Sequence, residues 1–134
     1  MGNIWFNYVK STVFNALRKH MKGLYPDIFQ TTTDQNGNPP KFPCLYLHEI
    51  ESPFIYDLAH RDVVGMRHYM RLEVFSNNSG DECGDIRAEA VDFLIGKYGY
   101  TVTLLPVTSQ NGVHWGVAQL HRVIGQGDKD IVKE

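Results

Sequence analysis

The sequence predicts an α+β domain: a single mixed, mainly antiparallel β-sheet with two amphipathic helices on one face, in the order αβββαββ. Three observations lead there. Apolar residues recur at helical spacing in two stretches, one at the start of the chain and one after Ser79. Five other stretches are β-branched, aromatic or alternating in polarity. Those strands are half polar, which suits a sheet covered on one side only.

Size and composition agree with one domain. The chain has 134 residues, of which 43% are hydrophobic and 21% charged, enough to bury a core and too apolar for a disordered chain. Residues 1–125 are expected to form the domain and 126–134 a flexible C-terminal tail. A net charge of −2 gives no general attraction to phosphates or anionic membranes. No apolar run approaches a membrane span, and the N-terminus MGNIWFNYVK lacks the apolar centre of a signal peptide. Cys44 and Cys83 stand too far apart for a metal knuckle or redox pair, so both read as core-filling thiols in a reducing setting.

The first helix opens at Asn3, and Trp5, Val9, Val13, Ala16, Leu17, Met21 and Leu24 form its apolar stripe. Gly23 and Pro26 stop it, while Phe6 and Phe14 fall outside the stripe. Ile28 to Thr33 reads as a short strand, followed by turn chemistry in DQNGNPPK. Cys44 to Glu51 alternates as a second strand ended by Pro53. Ser52 to Gly65 is a long apolar link with no clean period, which something must cover.

The third strand spans Met66 to Phe75. Met66, His68, Met70, Leu72 and Val74 make its core face, and Arg67, Tyr69, Arg71, Glu73 and Phe75 the other. Ser79 with Glu82 three residues on reads as a capping box opening the second helix. Cys83, Ile86, Ala90, Phe93 and Leu94 form its buried stripe, and Gly96 and Gly99 bracket its end. Tyr100 to Thr108 is a strand interrupted by Pro106, and Asn111-Gly112 turns the chain into the last strand, Val113 to Ile124. The passage from Met66 to Thr108 predicts a crossover between parallel neighbours.

The search for chemistry is negative: no catalytic, cofactor-binding or metal site is assigned. His48-Glu49 begins like a zinc-protease motif, but Ser52 holds the second histidine's place. Asp57, His60 and Asp62 could hold a cation, which would make the chain a small metal-dependent hydrolase. A solvated or interface loop is preferred, because no further ligand lies near in sequence. His68, on a core face, reads as a hydrogen-bonded core histidine. His114 and His121 fall on opposite strand faces, and Glu49 with Glu51 reads as an exposed acidic edge.

Phe42-Pro43 leading into LYLHEIESP, the segment MRLEVFSNNS before a helix opening DECGDI, and HWGVAQLHRVIG near the end together resemble short phage tail-terminator and tail-completion proteins. The resemblance covers roughly residues 40 to 125, and its motifs are structural rather than chemical. It implies a virion structural protein: a small subunit assembling as a homohexameric ring on the head-proximal end of the tail. Such a ring stops polymerisation of the tail tube protein and offers a surface to the head-completion proteins. DNA passes through it without sequence-specific binding. The alternative at the same junction is a head-closure or adaptor protein. Ring subunits meet through two different patches. Phe54, Ile55, Tyr56 and Leu58 are expected to form one, with Arg67, Tyr69 and Arg71 on the outer strand face, or the first helix, as the complement.

Overall fold

The computed structural model describes residues 8–24, 42–59, 62–125 and 127–131. They form two helices and six strands, the α+β class expected. Asn3, Trp5, Phe6, the strand expected at Ile28 to Thr33, and the turn that follows it lie outside the described residues.

Helix α1 runs Val9–Leu24 and buries Val9, Val13, Leu17 and Met21, four residues repeating every fourth position on one face. Leu24, expected to close that stripe, is exposed. Strands β1 (Cys44–Glu49), β2 (Phe54–Asp57) and β3 (Asp62–Ser76) follow. β1 and β2 lie end to end along the same side of β3, both antiparallel to it. Between them the backbone keeps pace with β3: Ile50 N–H donates to Tyr69 O and Arg67 N–H to Pro53 O, both at 2.9 Å. The expected link from Ser52 to Gly65 is therefore mostly a β2–β3 hairpin. Its period is broken by a register shift between Ile55 and Tyr56, where Val64 is the extra residue on β3.

Helix α2 (Gly80–Tyr98) starts as the sequence predicts. Ser79 is extended (φ −159°, ψ 159°), and its Oγ accepts from Glu82 N–H at 3.0 Å. The second half of the capping box is replaced: the Glu82 carboxylate instead accepts from Ser76 Oγ (2.8 Å) and Asn78 Nδ2 (2.9 Å), tying the helix to the end of β3. Gly99 ends α2 in the left-handed region, φ 70°, with its N–H on Ile95 O. Pro106 separates β4 (Thr101–Leu104) from β5 (Thr108–Gln110). Asn111 and Gly112, with φ of 54° and 79°, then turn the chain into β6 (Val113–Gly125).

The sheet order is β1-β3-β6-β4, with β2 beside β3 and β5 beside β6. Every pairing among the described residues is antiparallel. The parallel neighbours expected across α2 are thus absent: β3 and β4 do run the same way, but β6 lies between them, bonded to both. Sequence alternation could not reveal this, because insertion of a later strand leaves no local mark.

Both helices cover one face of the sheet. Their stripes meet Leu45, Leu47, Met70, Leu72, Val74, Ala118 and Leu120 in one core. His20 of α1 bonds Glu89 of α2 (2.8 Å) and stacks on Phe93 at 4.4 Å. Gly116 on β6 lets α2 approach: a Cβ there would lie 3.1 Å from Cys83 Sγ. After β6 the chain, expected to have little to bury, places Ile131 in the core at 1% exposure. Asp130 holds that segment through a two-point contact with Arg122, 2.9 and 3.1 Å. No helix among the described residues is long and apolar enough to cross a membrane.

Candidate subunit-interface site

Strand alternation sends the other half of β1, β3 and β6 to the side without helices. Cross-strand partners share a face, so the register defines it: Tyr46 beside Glu73, His48 beside Arg71, Phe75 beside Trp115, and Tyr69 beside His121. Toward the β5 end it is aromatic. Phe75 and Trp115 stack with ring centres 6.0 Å apart and planes 5° apart, and Tyr46 meets Phe75 edge-on at 5.7 Å. Arg71 lies over the Trp115 ring at 5.7 Å. Glu73 is bonded by His48 (3.0 Å) and approached by Arg71 (3.4 Å). Arg67 and Arg71 thus face outward with Glu73 as the one carboxylate among these strand residues, one more fixed positive charge than negative.

Two donors on this face make no hydrogen bond, although Arg71 Nε is the atom that stands 3.4 Å from the Glu73 carboxylate. Trp115 Nε1 and Arg71 Nε are buried and make no hydrogen bond, a costly condition for an N–H group. Beside them a groove of about 440 Å³ is lined by Phe75, Thr108, Gln110, Asn111, Val113 and Trp115.

The second candidate region is the β2–β3 hairpin. Phe54, Tyr56 and Leu58 are 48%, 51% and 82% exposed, and Val64 beside them is exposed too. Ile55 differs from its neighbours: it is half-buried, and its Cδ1 would stand 3.1 Å from a Cβ at Gly65. Gly65 is what lets Ile55 lie flat on β3, so Ile55 anchors the hairpin while Tyr56 and Leu58 project. The last register pair is Asp57 opposite Asp62.

The inner face contains the one polar cluster with chemical form. His68 is fully buried, with Nδ1 2.7 Å from Tyr100 Oη and Nε2 2.7 Å from Glu49 Oε2. One neutral tautomer satisfies all three groups: the Tyr100 hydroxyl donates to Nδ1, and Nε2–H donates to the Glu49 carboxylate. Burial lowers the His68 pKa against the opposing pull of Glu49, and burial raises that of Tyr100. The order carboxylate–imidazole–hydroxyl is that of an acid–base relay. Its hydroxyl end, however, is 3% exposed in the core, so no substrate atom reaches it. Glu49 is exposed, as the acidic-edge reading expects, and it also reaches His68. β1 ends at Glu49, and Glu51 beyond it is exposed as well.

The sequence-predicted residues therefore fall into two places. Arg67, Tyr69 and Arg71 share the bare sheet face. Phe54, Ile55, Tyr56 and Leu58 sit together on the hairpin arm, with Ile55 half-buried against Gly65. Among the described residues no group of three histidine, cysteine or carboxylate side chains is placed to hold a metal, and His60 lies outside them. Both thiols are buried and free, their pKa values raised by that burial. Sequence reasoning missed Trp115, which alternation alone would have placed beside Phe75 had the β3–β6 pairing been known. No protein-family model matches the chain, and no curated protein matches it.

Proposed function

We propose that the protein is a virion structural subunit, a tail terminator whose ring caps the tail tube, stops its polymerisation and presents a surface for head–tail joining. The observation that carries this reading is the pairing of a projecting apolar hairpin, Tyr56 and Leu58 at its crest, with an aromatic sheet face that no described helix covers. Large apolar groups held out on an ordered strand mark an association surface. Two unlike patches are what a ring subunit needs, because head-to-tail contacts close only when each copy offers both. The buried relay around His68 has no open reacting end, which turns the emphasis from catalysis to assembly. The family resemblance of residues 40 to 125 supplies the biological setting: the tube protein on one side of the ring, head-completion proteins on the other, and DNA passing between.

Electron microscopy of the purified protein tests it. Six-fold rings are expected, and adding the protein to polymerising tube protein should give shorter, capped tubes. A strictly monomeric protein at high concentration that also leaves tube length unchanged sinks the reading.

A further inference from the structure

The helix layer carries a pattern that the core does not use. On the side of α1 away from the sheet, Tyr8, Ser11, Asn15, Arg18 and Lys22 are exposed, in steps of 3, 4, 3 and 4 residues. On the same side of α2, Asp81, Asp85, Ala88, Asp92 and Ile95 are exposed in steps of 4, 3, 4 and 3. Such spacing keeps a row of side chains along one face of a helix. Each row spans fourteen residues, about 21 Å at the helical rise.

The rows are opposite in charge. α1 contains no carboxylate, and Lys10, Arg18, Lys19 and Lys22 are exposed on it. The α2 row holds three carboxylates and no cation. Among the described residues, the side chains of Lys19, Lys22, Asp81, Asp85 and Asp92 make no hydrogen bond or ion pair. The charged groups between those aspartates are engaged: Glu82 by Ser76 and Asn78, Arg87 by the Leu105 and Val117 carbonyls, Glu89 by His20. The helices of one molecule meet through His20, Glu89 and Phe93, none of which belongs to either row. Within a molecule the two rows therefore do not face each other.

Laid antiparallel with Lys22 opposite Asp81, the rows match position for position. Arg18, with Lys19 beside it, falls on Asp85, Asn15 on Ala88, Ser11 on Asp92 and Tyr8 on Ile95. Opposite charges meet at one end. At the other, two apolar side chains that are 42% and 44% exposed cover each other. Ala88, the smallest side chain of either row, stands at the centre, where the helices must come closest. The same sense sets the negative end of the α1 dipole against the positive end of α2. A parallel arrangement would put Tyr8 on Asp81 and Lys22 on Ile95, with no such match.

We propose that α1 of one copy docks antiparallel on α2 of a second copy through these rows. The contact is two-fold, so α2 of the first copy receives α1 of the second in the same way. It is independent of the ring reading, since it uses the helix side and leaves the hairpin and the opposite sheet face free.

Sedimentation of the full chain at low ionic strength, where charge pairs are least screened, tests it. Ala88→Arg places a long side chain at the centre and should weaken self-association about 30-fold. Lys22→Glu and Asp81→Lys each set like charges together twice per pair, and each should weaken it about tenfold. Mixed one to one, those two should associate as tightly as the unchanged chain, because every charge again meets its opposite. Circular dichroism checks that all three variants fold. Unaltered association of Ala88→Arg overturns the docking, as does a mixture no tighter than its components. Equal six-membered rings from the unchanged chain and Ala88→Arg overturn it and leave the ring reading standing. Pairs without rings, lost in Ala88→Arg, support the docking and remove the ring reading. A monomeric unchanged chain removes both.

Discussion

Along β3, Met66, His68, Met70, Leu72 and Val74 face the helices, whereas Arg67, Tyr69, Arg71, Glu73 and Phe75 face away. The first set is closed. Each side chain is buried, and its one polar member has both ring nitrogens bonded. The second set is open. Its rings stack on one another, Arg71 leans over Trp115, and the buried Trp115 Nε1 makes no hydrogen bond. One strand thus carries two kinds of information on alternate residues: how the subunit holds its shape, and where it offers itself to something else. Changes to the first face should alter stability, and changes to the second should alter association with the fold intact.

The largest effect on the fold is expected from Leu72→Ala, at the centre of the covered face. Removing a fully buried leucine should cost about 2–5 kcal/mol, read as a lower denaturation midpoint in urea. A loss below about 1 kcal/mol would mean that this face is less closed than described.

Next comes pH. In the unfolded chain His68 titrates near 6.5, and its folded value is lower. Between those values the unfolded state binds more protons, so stability is full above about pH 6.5 and declines as the pH falls below it. Urea midpoints measured from pH 7.5 down to 5 should show that decline, and His68→Gln should flatten it. An identical slope in the variant would assign the decline to other groups.

Ser79→Ala should cost about 1 kcal/mol by removing the N-cap of α2, visible as a lower melting temperature. No change would mean that the Glu82 contacts to Ser76 and Asn78 hold the helix start unaided. The smallest effect on the fold belongs to the hairpin: Leu58→Ser should move stability by less than about 0.5 kcal/mol while weakening self-association in sedimentation. A marked loss of stability there would erase the distinction between shape and assembly.

How much of this was legible in the sequence follows the range of the interactions involved. The bounds of α2 were legible because their signals are local, a cap at Ser79 and a glycine at position 99. Its stripe from Cys83 to Leu94 missed the buried Val91 and Tyr98 and included the half-buried Phe93. The faces of β3 were legible from strict alternation, and the last hairpin from Asn111-Gly112. β2 was not, because the shift at Ile55 and Tyr56 breaks the period that marks a strand. The contact of Glu49 with His68 was hidden, since only the β1–β3 register brings the two together. Ile131, one apolar residue in a polar tail, gives no periodic signal at all. Of the candidate site, the hairpin residues and Arg67, Tyr69 and Arg71 were found from composition and alternation. The groove at Trp115 needed the pairing of strands distant in sequence.

The position of β6 has a consequence for how the chain comes to exist. It pairs Gly125 with Gly65 and His114 with Ser76, contacts across 60 and 38 residues, and also holds β4 and β5. The middle of the sheet is therefore made from the residues of the last described strand to be synthesised. Until they emerge, β3 has an open edge on that side and β4 has no strand to join. Such long-range pairing closes slowly, and open edges invite pairing with other chains. A nascent or truncated chain ending near Gly112 would lack its keystone, and the sheet closes only once β6 has been made.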